Sequence, residues 1–302
     1  MSAVLKDLET QLKAILASRD VEHVEEQPPE APAEWTWDHI EISELGGLVT
    51  ADRVKQYRQG CLNCYRNGGY VTAVADEGYR TLKECPDCSL LVRRIKRINR
   101  AMLPAKFSMR RFAWERVNID GDNSAEAALS AWASTLIDIY RGNVNTAPSV
   151  AFCGPTGVGK SHAAFMLGRK LLEADVPVRW VNWIKLIENM RQSWRDDSKS
   201  SASDLWGSVF KIERGLIVID DLGAGSATAY SRQVACDLFE LCPNGVSLLI
   251  TTNGVPDGKD EHGLDYLIGR RAASRMSGIC ASGSTMFTFR GQDMRRIGRP
   301  LC

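Results

Sequence analysis

The chain has 302 residues, of which 44% are hydrophobic, 25% charged and 8% aromatic. This composition is typical of a globular protein and excludes the disordered, fibrous and membrane classes, while the length allows about two domains. No apolar run approaches the roughly 18 residues that cross a bilayer, and the N-terminal segment lacks the uninterrupted apolar core of a secretory signal. We therefore expect a cytoplasmic protein with no membrane contact.

The net charge of +1 hides opposed segments. Residues 1–50 carry three Lys/Arg against eleven Asp/Glu, whereas residues 89–116 carry nine against one. The stretch from Tyr266 to Cys302 adds seven arginines and a single aspartate. Basic clusters of this kind can neutralise phosphates. A solvated surface explains either segment equally well, so neighbouring motifs must decide.

The first segment, residues 1–34, predicts a helix and a linker. Apolar residues recur at helical spacing up to about Ser18, at Leu5, Leu8, Leu12, Ile15 and Leu16. Residues 25–34 then hold three prolines and four glutamates, which indicates an extended acidic linker. A helix on a tether is typical of a docking element, although it could instead pack on its own domain.

Residues 35–103 predict a small zinc-binding module followed by a basic helix. Cys61 and Cys64 form one C-x₂-C pair, and Cys85 and Cys88 form a second pair after a gap of twenty residues. Four thiolates close all positions of a tetrahedral Zn²⁺ ion, so the site would be structural. The other five of the nine cysteines form no such pattern.

Basic and apolar residues alternate at helical spacing directly after Cys88, in the sequence LLVRRIKRINRAMLPAKF. Tyrosines at 65, 70 and 79 precede it in the cysteine segment. Basic side chains beside exposed aromatic rings are a common grip on single-stranded nucleic acid. A helix that links two domains and carries solvated charges is an equally good interpretation.

From residue 104 to 302 the sequence predicts one α/β domain. Short apolar runs at 149–153, 178–182, 215–220 and 246–252 are separated by helical patterns. Alternation of this kind predicts a parallel sheet with helices on both faces.

The first of these runs is followed by a phosphate-binding loop. The sequence GPTGVGKS satisfies the P-loop pattern between a predicted strand and a predicted helix. Its backbone N–H groups would face the phosphates of ATP or ADP, with Lys160 at the β/γ-phosphates and the Ser161 hydroxyl on Mg²⁺. The predicted nucleotide-binding residues are Gly154, Pro155, Thr156, Gly157, Val158, Gly159, Lys160, Ser161 and His162.

Polar residues end the third and fourth apolar runs. Asp220 and Asp221 follow Ile219, and Thr252 and Asn253 end the run at 246–252. At the carboxyl edge of a parallel sheet, Asp220 would hold Mg²⁺ with Ser161, and Asp221 would orient the attacking water. The Asn253 amide could hold the same water, although Asn253-Gly254 is also a common turn.

The P-loop, the Asp-Asp and Thr-Thr-Asn strand ends and the closing segments IGRRAASRM and FTFRGQDMRR together resemble the AAA+ ATPases. More narrowly, residues from about 104 to 296 resemble the DnaC/DnaI helicase loaders and the IstB transposition helpers. The resemblance implies that Arg271 reaches the nucleotide of a neighbouring subunit. It also implies roles for Arg275 and for Arg295, the latter sensing nucleotide within its own subunit. Asp221 departs from the glutamate that is usual in AAA+ ATPases.

These features lead to the expectation of an ATP-dependent loader of a replicative helicase, which acts as a homo-oligomer on single-stranded DNA and which a phage could encode. One alternative is a transposition helper ATPase. The other is a nucleotide-gated adaptor that hydrolyses little ATP, which the shorter Asp221 carboxylate keeps open.

Overall fold

The computed structural model describes residues 71–74, 80–83, 89–108, 118–119, 125–141, 149–193, 202–212, 214–256, 258, 260–280 and 285–294. The chain divides into two compact units, of which the first holds Met1–Glu34 and Lys55–Cys88 and the second holds Trp35–Val54 and Ser89–Cys302. In the first unit, strands β1 (Val71–Val74) and β2 (Arg80–Lys83) form an antiparallel pair. The predicted N-terminal helix and linker and the four cysteines of the predicted zinc site lie outside the described residues, so both remain predictions.

The second unit contains a six-stranded sheet in the order β3-β8-β4-β7-β6-β5. The strands are β3 (Asn118–Ile119), β4 (Val150–Cys153), β5 (Val178–Asn182), β6 (Gly215–Leu222), β7 (Val246–Thr252) and β8 (Met286–Arg290). All neighbours are parallel except β3, which pairs antiparallel with β8. The expectation of a wholly parallel sheet is therefore wrong at one edge, where a two-residue strand is too short to carry a periodic sequence signal.

Nine helices are described in the second unit. They are α1 (Ser89–Ala101), α2 (Ala105–Ser108), α3 (Ala125–Tyr140), α4 (Lys160–Glu173), α5 (Trp183–Ser193), α6 (Ala202–Val209), α7 (Ala229–Leu241), α8 (Leu264–Ile268) and α9 (Arg270–Ile279). Among the described residues, no helix is both long and apolar enough to cross a bilayer.

Helices cover both faces of the sheet, as the sequence predicts. Successive side chains of β6 alternate between the faces, and Ile217 and Ile219 pack into a core with α5, α7 and α9. On the other face the ring of Phe107 contacts Phe165 of α4 and Trp180 of β5. Because both faces are apolar and buried, polar chemistry is left to the ends of the strands, and the carboxyl edge is the usual ligand site of such a sheet.

The basic helix α1 packs on β5 within the second unit. Ile95, Ile98 and Ala101 are buried, so one face of the helix lies in the core. The guanidinium of Arg97 pairs with Asp175, and Arg179 of β5 donates a hydrogen bond to the Arg100 carbonyl at 3.1 Å. The helix is therefore part of the wall of the sheet domain, with its basic residues on the remaining face.

Candidate functional site

The loop between β4 and α4 is built on glycines in conformations that other residues rarely adopt. Gly154, Gly157 and Gly159 have φ values of 128°, 83° and 101°. Two of them also allow close packing, because a Cβ on Gly154 would lie 2.1 Å from the Phe289 carbonyl oxygen and one on Gly157 would lie 1.9 Å from Asp293 Oδ1. The loop therefore curls against the end of β8, and its fold requires these glycines.

Helix α4 begins at Lys160, directly after this loop. The first backbone N–H groups of a helix have no partner within the helix and carry positive potential, which suits a phosphate. His162 lies in this first turn, but its ring is buried and stacks on Phe107 with the ring centroids 5.3 Å apart. The backbone N–H of His162, rather than its imidazole, is therefore the group that can face a phosphate.

Lys160 is the first point at which distant parts of the sequence meet. The residue is 4% exposed, and its ammonium group donates hydrogen bonds to the carbonyls of Gly154 at 2.8 Å and Pro155 at 2.6 Å. A third hydrogen bond, 3.0 Å long, joins Lys160 Nζ to Asn253 Oδ1 after β7. The lysine is thus placed at the mouth of the loop with the predicted asparagine beside it.

Asp220 lies almost fully buried near the end of β6, at 2% exposure. Burial raises the pKa of its carboxyl and the neighbouring Asp221 charge adds to that, while hydrogen bonds from Ser161 and Thr251 lower it. The Thr251 hydroxyl donates to Asp220 Oδ1 at 2.8 Å. A carboxylate that burial makes costly to ionise, next to a serine hydroxyl, offers the hard oxygen ligands that suit Mg²⁺. Ser161 and Asp220 therefore fit the magnesium site predicted for them.

Asp221 has a different environment from its neighbour. It has a φ of 60° at an irregularity in the pairing of β6 with β7, between Ile219 and Leu222. Its backbone N–H donates to the Thr251 hydroxyl at 2.9 Å, while its side chain is only partly buried. A bulge re-aims the side chain that follows a buried strand residue, and aspartate tolerates this left-handed conformation better than most residues. The two adjacent carboxylates are thereby separated into one buried and one accessible group.

Thr251 is a site residue that no sequence motif singles out. It is fully buried, and its single hydroxyl donates to Asp220 and accepts from the Asp221 backbone. Thr252 has a structural task instead, because its hydroxyl donates to the Leu222 carbonyl at 2.8 Å and accepts from the Gly254 N–H at 3.1 Å. The sequence does hold a signal for this residue, namely the two consecutive threonines at the end of β7. Successive residues of a strand point to opposite faces of the sheet, so the two hydroxyls must have different neighbours.

The predicted arginines form a separate cluster. Arg271 and Arg275 of α9 both pair with Glu240 Oε1 of α7, at 2.9 Å and 2.6 Å. The Arg271 side chain is 71% exposed, so it can be reached from outside the subunit. Within the described part of the chain, neither arginine forms a hydrogen bond or ion pair with the loop or with the two aspartates. Arg295 lies outside the described residues, although Met294 donates its N–H to the Gly157 carbonyl at 3.2 Å.

The geometry defines a P-loop nucleotide-binding protein, with lysine, serine, two aspartates and an asparagine gathered at the carboxyl edge of the sheet. The family of IstB-like ATP binding proteins matches residues 81–256. The chain belongs to this family, and it is an AAA+ protein of the group that includes the helicase loaders.

Individual relatives are distant in sequence. The replicative helicase loader DnaC of Buchnera aphidicola subsp. Schizaphis graminum (strain Sg) is 22% identical over 151 residues, which cover 50% of this chain and 58% of that protein. The chain thus matches a little more than half the length of this curated relative.

Solved structures of the same group are similar to parts of the chain. The match to the crystal structure of the DnaC helicase loader covers 59% of this chain and 98% of the DnaC chain, with 17% identity and a TM-score of 0.42. The match to the crystal structure of DnaI covers 60% of this chain and 92% of the DnaI chain, with 15% identity and a TM-score of 0.44.

Proposed function

We propose that this chain is an ATPase that loads a replicative DNA helicase onto DNA, acting as a homo-oligomer that contacts single-stranded DNA. One observation supports the proposal above all: four polar side chains meet at one edge of the sheet. Lys160 contacts Asn253, and Ser161 contacts Asp220. The chain that holds them also matches a helicase loader in sequence. The relative is named for the function proposed here, and the site holds the groups that an ATP-driven protein needs.

In the proposed site each side chain has a separate task. The loop amides and Lys160 would bind the phosphates, and Ser161 and Asp220 would hold Mg²⁺, which neutralises charge on the β- and γ-phosphates when bound. Asp221 would orient the attacking water, since it is the accessible one of the two carboxylates. Asn253 would help to place that water or the γ-phosphate, because its amide already lies 3.0 Å from the lysine ammonium.

The arginine cluster supports action between subunits. Arg271 is exposed and held by Glu240, so its guanidinium is oriented at the surface of its own subunit. In an oligomer it would approach the nucleotide of the next subunit and stabilise charge on the transferring phosphoryl group. Arg295 would sense nucleotide within its own subunit, since its chain neighbour Met294 is bound to the loop.

In this proposal the segments before residue 104 serve the partners. The acidic segment 1–34 would dock the helicase because its charge repels DNA. A zinc ion on Cys61, Cys64, Cys85 and Cys88 would hold the next module together. The basic residues of α1 would contact single-stranded DNA.

Two other functions have an observation in their favour. A transposition helper is the alternative that the match to the IstB-like family keeps open. A nucleotide-gated adaptor with little hydrolysis is favoured by the short Asp221 side chain, which holds its carboxylate closer to the strand than a glutamate would.

A pull-down from the native host with the full-length tagged chain separates these functions. The bait is prepared with ATP as the wild type and as Lys160→Ala, and the captured proteins are identified by mass spectrometry. The proposal predicts a hexameric replicative helicase with the wild-type bait. Recovery of a transposase instead would support the transposition helper. Recovery of the helicase by a purified chain that shows no ATP turnover in a separate hydrolysis assay would support the adaptor.

A further inference from the structure

A second charged site lies far from the nucleotide loop. A cavity of about 560 Å³ opens between α1, the end of α3 and the segments that lead into β5 and β6. All of the charged residues that line it in the described part of the chain are basic: Arg93, Lys96, Arg97, Arg100, Lys211 and Arg214. The cavity has the size of a typical ligand site, and its charge selects an anion.

The position of the cavity separates it from the ATP site. Pro177 and Val178 at the start of β5 line it, and Arg214 precedes the first residue of β6. The phosphate-binding loop follows the last residue of β4, and β4, β5 and β6 run in the same direction. The cavity is therefore at the amino edge of the sheet and the nucleotide site is at the carboxyl edge, so a single nucleotide cannot occupy both.

The arrangement of the cations fits a chain of phosphates better than one phosphate group. Arg93, Lys96, Arg97 and Arg100 recur at i, i+3, i+4 and i+7, so they form a row about 10 Å long on one side of α1, in which Arg97 is the member that also pairs with Asp175. Lys211 lies opposite, in the segment before β6, and is exposed. Arginine dominates this set, and its planar guanidinium binds phosphate oxygens in pairs.

An aromatic ring and an apolar floor complete the cavity. Tyr140 at the end of α3 lines it together with Val178 and Ile212. Phosphate-binding cations beside a tyrosine ring are the combination that binds single strands, since the cations bind the backbone and a base stacks on the ring. An acidic peptide would use the cations but would gain less from the tyrosine.

We propose that this cavity binds the backbone of single-stranded nucleic acid, with Lys211 and Arg214 facing the basic row of α1 and Tyr140 stacking on a base. The inference rests on the single-strand contact of the proposed function and gives that contact a location. It adds two cations and a ring that the sequence pattern of α1 did not reveal.

The test uses the full chain with ATP and a fluorescein-labelled oligothymidylate. Anisotropy is measured between about 50 and 200 mM salt for the wild type and for the double variant Lys211→Ala/Arg214→Ala. Loss of two phosphate contacts should flatten the logarithmic salt slope by about 1.4 and weaken binding about tenfold. The matched control removes two exposed lysines outside the cavity, Lys170→Ala/Lys185→Ala, and should retain the wild-type slope.

A second variant tests the ring independently of charge. Tyr140→Leu should weaken binding about tenfold with an unchanged salt slope, whereas Tyr140→Phe should bind as the wild type does, because stacking needs the ring and not the hydroxyl. Since Lys211 and Arg214 are exposed, the double variant should retain the wild-type melting temperature.

Three outcomes would overturn the proposal. An unchanged slope and affinity in the double variant would show that the cavity does not bind DNA, and helicase capture by the same variant would leave the loader function standing. Equal competition by polyglutamate of matched charge would assign the cavity to an acidic protein segment. No binding by the wild type would remove both this inference and the DNA contact of the proposed function.

Discussion

Thr251 should be the most sensitive residue that touches neither nucleotide nor metal in the proposed site. Replacing it with valine preserves the shape of the side chain and removes one hydroxyl, which now donates to Asp220 and accepts from the Asp221 N–H. A hydrogen bond to a charged group contributes about 1.5–3 kcal/mol, and a buried N–H left without a partner costs about 1–3 kcal/mol. Because Thr251 is fully buried, water cannot replace the hydroxyl.

We therefore expect Thr251→Val to lower the free energy of unfolding by about 3 kcal/mol and to lower ATP turnover about a hundredfold through misplaced carboxylates. Urea denaturation measures the first quantity, and steady-state hydrolysis at saturating Mg·ATP measures the second. Thr251→Ser retains the hydroxyl and should stay close to the wild type. Thr252→Val removes a buried hydroxyl that bonds only backbone groups, so it should destabilise the fold with a smaller loss of turnover.

Equal stability and turnover in Thr251→Val and Thr251→Ser would show that the Thr251 hydroxyl has no role in either property. Equal turnover losses in the two valine variants would show that general loosening of the strand end, and not the link between the aspartates, lowers activity.

Three further predictions concern the charge, the backbone and the subunit contacts of the domain. Asp220→Asn should raise the melting temperature measured without nucleotide. The fold raises the pKa of the Asp220 carboxyl, so the wild-type protein loses stability as pH rises through that pKa. In the same thermal scan, Asp220→Asn should also abolish the stabilisation of the protein by Mg·ATP. Gly168→Ala should increase the free energy of unfolding by about 1 kcal/mol, since a Cβ at this position in a helix interior would make ordinary contacts at 3.6 Å. Gly154→Ala should instead prevent nucleotide binding, measured with a fluorescent ATP analogue, because a Cβ there would overlap the Phe289 carbonyl. Arg271→Ala should bind ATP and lose turnover, and mixing it with Lys160→Ala should restore part of the turnover in a coupled assay, so the absence of any rescue would argue against action between subunits.

Much of the sheet domain could be predicted because its signals are local in sequence. The strand, loop and helix around Lys160 are adjacent in the chain, and the apolar run before Asp220 forms the first part of the buried strand β6, which continues to Leu222. The antiparallel strand Asn118–Ile119 could not be predicted, since two residues show no alternation and their pairing with β8 depends on a segment far along the chain. Local patterns thus predict elements better than they predict the edge of a sheet.

The contacts within the site divide in the same way. Lys160 and Asn253 are 93 positions apart, and only the order of the strands brings them within 3.0 Å. The pairing of Arg271 with Glu240 likewise joins two helices whose sequences show no sign of contact. The bulge at Asp221 depends on the register between β6 and β7, which a hydrophobic pattern does not encode.

A helicase-loading assay tests the proposed loader function itself. A strand coated with single-strand-binding protein is incubated with the host's replicative helicase, and unwinding of an annealed oligonucleotide is followed with and without the full-length chain. We expect unwinding to require both the chain and ATP, to be lost with Lys160→Ala, and to be retained with Lys170→Ala, which removes an exposed lysine from the same helix. Unwinding that is equally fast without the chain, or with Lys160→Ala, would show that the chain is not an ATP-dependent loader.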